Sequence, residues 1–299
     1  MIMSEKKEIY FHASSFGNIM VKPNDIKITP SQLKEIDRLI YERDNLKNEK
    51  GNTVKWTSTK QEDLEYLIAK RDAKPFLSET AKGEVEKLWR FLEKGFVDEL
   101  NTKQIEKGFL QEEEGIEILS EVDGVFYTKN SERLRRDNLT GEADIIYTNE
   151  DGRKKIIDIK CSWDMRTFMN STLSNIYEWQ LRVYMYLYDA QEAELVYVLV
   201  DTPKHLIEKE KRQLFFKYKS DAMSDEELTE LEMQLEPLYA IIEKNHTYSQ
   251  NPNIKGLEER VMRFKVYRSR ELEKDMLDTL QLALEYYPKI QMNQSKRPK

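Results

Sequence analysis

The chain has 299 residues, 34% charged and 39% hydrophobic, with 48 Lys and Arg against 55 Asp and Glu, for a formal net charge of −7. That length can bury a substantial core, and recurring apolar segments exclude low-complexity disorder. The acidic balance excludes a surface that binds polyanions everywhere, though not a local basic groove.

One cysteine, Cys161, excludes an internal disulfide, a cysteine-rich zinc site and a four-cysteine iron–sulfur cluster. The first residues, MIMSEKKEIYFHA, lack an apolar stretch, so no signal peptide is expected. The longest purely apolar run, Leu195 to Val200, is far below the roughly 20 residues a bilayer span needs. A cytoplasmic protein with no membrane partner is the expectation.

In chain order, Thr29-Pro30-Ser31-Gln32 predicts a capped helix start, with Leu33, Ile36, Leu39 and Ile40 as its apolar face to about Asn48. The polar stretch from Asn48 to Asp63 reads as a loop or irregular hairpin. Helices are expected over Glu79 to Phe96 and over about Thr102 to Ser120. Val125 to Tyr127 reads as a short strand, and Ser131 to Gly141 as a polar connection with three arginines. Two strands follow within Ala143 to Lys160, then the ambiguous Met165 to Phe168. A helix over Ile176 to Ala190 and a strand over Glu194 to Val200 come next. Past Pro203 the chain reads as helical, with a basic stretch from His205 to Lys219. Ser224 and Glu227 open a further helix to about Lys244. Val261 to Tyr267 alternates like a strand, and a helix closes over Leu272 to Tyr287.

No repeat and no clean linker divides the chain. The expectation is one α/β domain over residues 1–299, a central mixed sheet flanked by helices. Its core would span about 79–200, with a helical and loop segment at 1–78 and helices and a strand at 201–299.

The chemistry sits in the paired strands. Asp158, Ile159 and Lys160 form a D-x-K triplet, and on a strand residues i and i+2 share a face. Asp158 and Lys160 then project together while Ile157 and Ile159 face the core. A three-residue loop, Glu150-Asp151-Gly152, puts Gly152 at the left-handed position such loops need and sets Asp144 across from Asp158. Two carboxylates at ~5 Å repel by about 3 kcal/mol at an effective dielectric near ~20. A divalent cation is the natural compensator, and Mg²⁺ prefers one or two carboxylates with water and phosphate oxygens. Lys160 beside it could orient or deprotonate a water, or neutralise phosphate charge.

At this composition about nine acid-x-base triplets arise by chance, so the triplet alone says little. Asp25-Ile26-Lys27 is one such triplet: it follows Pro23-Asn24, has no acidic partner strand, and reads as loop. Two helices add signal. In the third helix, Ile105, Phe109, Ile116 and Leu119 trace an apolar stripe that has Glu112 at a core position, with Gly108 one turn earlier to permit close backbone approach. Glu113, Glu114 and Glu117 lie off that stripe as a solvated face. In the helix after the strands, Gln180 shares a face with Ile176, Val183, Tyr184 and Leu187. It suits a buried amide bonded to backbone, or an amide that meets metal-bound water, the lysine or a DNA backbone.

Together these residues resemble the PD-(D/E)xK nuclease superfamily, in particular its phage (lambda exonuclease-like) and RecB-type exonuclease branch. The branch pattern G-x-x-x-E, D, D/E-x-K, Q-x-x-x-Y is matched by Gly108 to Glu112, Asp144, Asp158 to Lys160, and Gln180 to Tyr184. The match covers about Lys107 to Tyr188. The resemblance implies a restriction-endonuclease-like core and one or two Mg²⁺ or Mn²⁺ ions held by Glu112, Asp144, Asp158 and the Ile159 carbonyl. Lys160 would handle the attacking water, with Gln180 auxiliary and Tyr184 supporting.

It further implies hydrolysis of phosphodiesters in linear duplex DNA ends, leaving a 5′-phosphate, in recombination alongside a single-strand annealing protein, with a homo-oligomer as a family trait. A structure-specific endonuclease and a non-cleaving binding module on the same fold are the alternatives. His12 to Met20 is similar to the helix start that binds the terminal phosphate in lambda-type exonucleases, with Ser14 on the phosphate-contacting serine. A capping serine explains the same residues, and His12 departs from the family's usual residue. The iron–sulfur relatives are excluded by the single cysteine.

Arg133, Arg135 and Arg136 lie just before the Asp144 strand and are the first candidates for DNA contact among several basic clusters, for each of which a solvated face is the commoner explanation. Trp163 suits base stacking or core.

Overall fold

The computed structural model describes residues 8–23, 28–48, 50–72, 75–97 and 102–295, with side chains as far as residue 290. The triplet at residues 25–27 lies outside the described residues. In chain order the elements are β1 (Phe11–His12), α1 (Ala13–Ile19), α2 (Pro30–Asn45), α3 (Ser58–Arg71), α4 (Glu79–Lys94), α5 (Lys103–Asp123), β2 (Leu134–Arg136), β3 (Leu139–Gly141), β4 (Ile145–Thr148) and β5 (Lys154–Cys161). There follow α6 (Met165–Met169), α7 (Asn175–Tyr188), β6 (Glu192–Val198), α8 (Lys204–Tyr218), α9 (Asp225–His246), β7 (Val261–Tyr267) and α10 (Arg270–Ser295).

The chain divides into two compact units, one of Met1–Gly17 with Phe96–Lys274, the other of Asn18–Gly95 with Asp275–Lys299. The first holds both sheets. Its larger sheet is mixed, in the order β4-β5-β6-β7, with β5 and β6 parallel and both outer pairs antiparallel. Ile157 and Ile159 of β5 face α5, where they join Ile116, Leu119, Ile145, Val196 and Val198 in one core cluster. The opposite face carries Asp158 and Lys160 and is covered by α7. Both faces of the sheet are therefore buried, and β6 buries Ala193, Leu195, Val196 and Val198 together with Glu194, which is paired with Lys155 and Arg263. The smaller sheet runs β1-β3-β2, with β1 parallel and β2 antiparallel to β3.

The β4–β5 connection has the expected form. Asn149 N–H bonds Arg153 O, Gly152 sits at φ 76°, and Ile145 pairs with Ile157, so Asp144 stands opposite Asp158. The capping boxes at Thr29 and Ser224 also form. In the first unit Gly17 of α1 lies so close to α7 that a Cβ there would be 2.4 Å from Ile176 Cα. Backbone cannot retreat as a side chain can, so Gly17→Ala is expected to cost about 1–3 kcal/mol, seen as a lowered Tm.

In the second unit α2 and α3 pack Ile36 and Leu39 against Leu64 and Leu67. Glu42, 3% exposed, is buried between Arg38 at 2.5 Å and Lys60 at 2.7 Å. Leu33, expected on the buried face of α2, is 41% exposed instead.

Three further expectations need correction. The stretch expected as loop from Asn48 to Asp63 runs into α3, which Thr57 caps. Val125 to Tyr127 runs as irregular chain, because Gly124 ends α5 in a left-handed turn and the Ser120 hydroxyl takes Tyr127 N–H. Ser131 to Gly141 contains the β2–β3 hairpin, turned by Asp137 and Asn138 at φ 47° and 64°. Met165 to Phe168 resolves as the start of helix α6.

Candidate active site

Asp158 is the centre of the site and is 1% exposed. Gln180, one turn into α7 and also buried, donates from Nε2 to Asp158 Oδ1 at 2.9 Å and to the Tyr184 hydroxyl at 3.1 Å. Its partners are thus a carboxylate and a phenol, not backbone. Among the described residues, Asp158 Oδ2 has no neutral donor to satisfy it. The Lys160 ammonium, 2.6 Å away as an ion pair, is its one cationic neighbour at contact distance among them.

Asp144 sits just ahead of β4. Because β4 begins only at Ile145, the edge of β5 beyond Asp158 lacks a strand neighbour there, and Asp144 Oδ2 accepts the Ile159 N–H at 2.7 Å. Asp144 keeps a little surface at the cleft but is hemmed by protein elsewhere. Its carboxyl is pushed up to about 8, first by burial and then by the Asp158 charge, against the pull of Lys160 and the Ile159 N–H. Asp158 is raised by burial despite Lys160. Lys160 is raised too: burial opposes its charge, but Asp158 and Asp144 together outweigh that. The Lys160 ammonium is held protonated.

These shifts carry a stability consequence. A folded value of about 8 above an unfolded 3.8 means that folding favours the protonated Asp144, an advantage complete below pH 3.8 and lost as pH climbs through 8. Asp144→Asn carries no charge to repel and still offers an oxygen to Ile159 N–H. In EDTA it is expected to gain about 1–3 kcal/mol over the parent at pH 8, discounted for the open cleft, and nothing below pH 4. Thermal melts across that range check it.

A cleft of about 820 Å³ opens over these groups, lined among others by Ser14, Gly108, Glu112, Asp144, Ile159, Lys160 and Gln180. Residues from five separate segments thus meet at one place. Asp158 and Tyr184 lie just beneath the lining, both buried. Glu112 comes from α5, on the other face of the sheet, and is paired with Lys129 at 3.0 Å. Among the described residues no three His, Cys, Asp or Glu side chains form a ready metal cluster. Asp144 and Asp158 face each other, and Glu112 is paired with Lys129.

Gly108 meets nothing within 4 Å of a built Cβ, so the close approach expected there is absent. The glycine that packs is Gly115, whose Cβ would be 3.2 Å from Ile159 Cγ2. The upper part of the expected α5 stripe is likewise open: Phe109 is 77% and Ile105 37% exposed, and both line the cleft. The helix reaches past the ends of the strands it covers.

Arg133, Arg135 and Arg136 fall outside the cleft lining. Arg133 pairs with Glu142 at 3.3 Å, Arg135 lies over the Tyr10 ring at 5.0 Å, and Arg136 lies over the Tyr186 ring at 4.2 Å. Trp163 is half-buried, edge-on to His246, and still lines the cleft. Cys161 donates its thiol to Gln111 O, and burial pushes it up to about 12, so it is no thiolate.

Lys107 was not foreseen. It is fully buried, donates to Trp163 O at 3.0 Å and Val200 O at 2.8 Å, and burial lowers it to about 8. It ties α5 to the chain just past β5 and β6. In sequence it is one more lysine on a charged helix, and no signal marks it. Tyr177 was missed as well, although its place three residues before Gln180 puts it on the same helix face.

A mixed sheet with helices on both faces, and acids with a lysine on one of those faces, make a restriction-endonuclease-like core. The sequence profile of the PD-(D/E)XK nuclease superfamily matches residues 38–283, and the chain belongs to that superfamily. Among solved structures it is similar to a phage-related exonuclease from Haemophilus somnus 129PT, with a TM-score of 0.59 and 21% identity over 96% of this chain and 97% of that one. An alkaline exonuclease (LHK-Exo) from Laribacter hongkongensis matches at a TM-score of 0.43 and 12% identity, over 74% of this chain and 88% of that one. The first likeness is one of fold. No curated protein sequence matches. Among the described residues, no helix is long and apolar enough to cross a membrane.

Proposed function

We propose that the protein is a divalent-metal-dependent deoxyribonuclease, an exonuclease that hydrolyses linear duplex DNA from its ends. The observation that carries this reading is the buried Asp158 carboxylate with Asp144 opposite and Lys160 beside it, all at one cleft.

The donors suit Mg²⁺ or Mn²⁺. They are hard oxygens, two of them on raised carboxylates that a cation would let ionise. Asp144, Asp158 and the Ile159 carbonyl would hold the ion, joined by Glu112 once Lys129 releases it. When bound, such an ion neutralises the paired acids and polarises a phosphodiester oxygen.

The remaining work falls to the chain's own groups. Lys160, kept protonated, offers its ammonium to a phosphate oxygen or orients the attacking water. Gln180 fixes the Asp158 carboxylate, and Tyr184 in turn fixes Gln180. The water's oxygen adds to phosphorus, its proton ends on the departing 3′ oxygen, and a 5′-phosphate and 3′-hydroxyl remain. Ser14, which lines the same cleft, would take the terminal phosphate. Arg133, Arg135 and Arg136 would serve the DNA farther out, after leaving their present partners. A single-strand annealing partner, a homo-oligomer and a cytoplasmic setting belong to the same reading.

The test uses 5′-phosphorylated linear duplex, closed circles and branched DNA, each with Mg²⁺ or with EDTA. Loss of linear DNA alone, and only with Mg²⁺, is expected. Nicked circles or branches would instead indicate a structure-specific endonuclease, and binding without cleavage an inert module.

A further inference from the structure

We infer that Tyr177 is a positioning residue for Lys160, its ring acting as the wall that holds the ammonium in register with Asp158. Lys160 Nζ lies 5.3 Å from the centre of the Tyr177 ring, while the Asp158 carboxylate holds the same nitrogen at 2.6 Å from another side. A lysine ammonium on a four-carbon stem has many rotamers, and one carboxylate contact leaves it free to swing. The π-face adds a second, directional contact that carries no charge of its own. It therefore orients the ammonium without competing for the phosphate that the cleft would receive.

The ring is itself braced. Tyr177 meets Tyr197 edge-on at 6.4 Å, and Tyr197 meets Phe264 edge-on at 6.0 Å, a row of three aromatics across the α7 face of the sheet. Tyr197 sits beside Lys160 in the parallel register of β5 and β6, and its hydroxyl donates to Thr172 O at 3.1 Å, fixing the loop before α7. Tyr177 also has its N–H held by the Ser174 cap, which fixes the helix start that carries the ring. Two consecutive turns of α7 thus serve the triplet: Tyr177 the lysine, and Gln180, three residues on, the aspartate.

The kinetic arm of the test rests on the proposed nuclease activity; the spectroscopic arm does not. Tyr177→Phe keeps the ring, whereas Tyr177→Leu and Tyr177→Met remove it at a half-buried position. With linear duplex and Mg²⁺, Leu and Met are expected to lower kcat about 10- to 100-fold with KM within about threefold, and Phe to stay near the parent. In metal-free protein with ¹³C-labelled lysine, the Lys160 ε-methylene signal, assigned by its loss in Lys160→Met, is expected upfield in the parent and Tyr177→Phe and shifted downfield in the other two. An unmoved Lys160 signal in Tyr177→Leu overturns the inference whatever the activity. So does parental kcat in Tyr177→Leu, or a Tyr177→Phe as impaired as Tyr177→Leu, since then the hydroxyl and not the ring matters. If the parent cuts no DNA, the nuclease reading fails while the lysine signal still decides the ring's part.

Discussion

Asp158→Asn is expected to lower the cleavage rate by about 10³-fold or more, with the folded protein intact. The reason lies in the donors that converge on Asp158. Gln180 Nε2 bonds one oxygen and the Lys160 ammonium faces the other. An asparagine has a single oxygen. Turned toward Gln180, it sets its own NH₂ against the ammonium; turned toward Lys160, it sets NH₂ against NH₂. Either way one buried donor loses its acceptor and any cation loses a charged ligand. Stability moves little, because the substitution also removes a carboxyl that burial already holds in its raised, reluctantly ionised state. The measurement is the initial rate of loss of linear duplex beside a thermal melt. A rate within tenfold of the parent, with an unchanged melt, would remove Asp158 from the site.

What could be read from the sequence, and what could not, divides along a physical line. The β4–β5 register was legible because loop length and one left-handed glycine fix it: with Gly152 at φ 76°, the pairing of Asp144 with Asp158 follows from counting. The site helices were legible in part for a similar reason. Gln180 and Tyr184 share a face by spacing alone, and the structure joins them with one hydrogen bond.

Elements held by few residues were not legible. The β2–β3 hairpin has three residues on each strand, too few for alternation to emerge, and its turn is Asp137-Asn138 without a glycine. Helix α3 buries only Leu64 and Leu67, so its sequence reads as polar chain. Val125 to Tyr127 misled in the opposite sense: its strand-forming residues were outbid by a single hydroxyl, that of Ser120, which closes the end of α5.

The α5 stripe shows where periodicity stops being informative. Ile116 and Leu119 meet the sheet, whereas Ile105 and Phe109 continue the same period into an open cleft. Spacing reports which residues share a helix face. How far the sheet extends beneath that face is a tertiary fact. Lys107 is the converse case, a charge buried where the period gives no warning, made tolerable by two carbonyls just past the strand ends.

Lys160→Met should remove about 10²- to 10⁴-fold of the cleavage rate and, separately, destabilise the metal-free protein by about 2–4 kcal/mol at pH 8. The second effect follows from Asp158. Its Oδ2 has only the Lys160 ammonium for compensation, so methionine leaves a carboxylate in a buried site. Protonation caps the loss: the Asp158 carboxyl, raised already by burial, rises further once the cation is gone. A raised folded value costs stability as pH climbs, so the penalty should be largest at pH 8 and small near pH 5. Two controls separate this from lost packing. In the double variant Asp158→Asn with Lys160→Met, most of the penalty should vanish, because no buried charge is left to strand. Tyr177→Leu should destabilise far less, since it loosens the ammonium without removing it. Equal melts for parent and Lys160→Met at pH 8, or a penalty that the double variant keeps in full, would show that the pair carries no electrostatic load, and the case for a charge-starved Asp158 would fall with it.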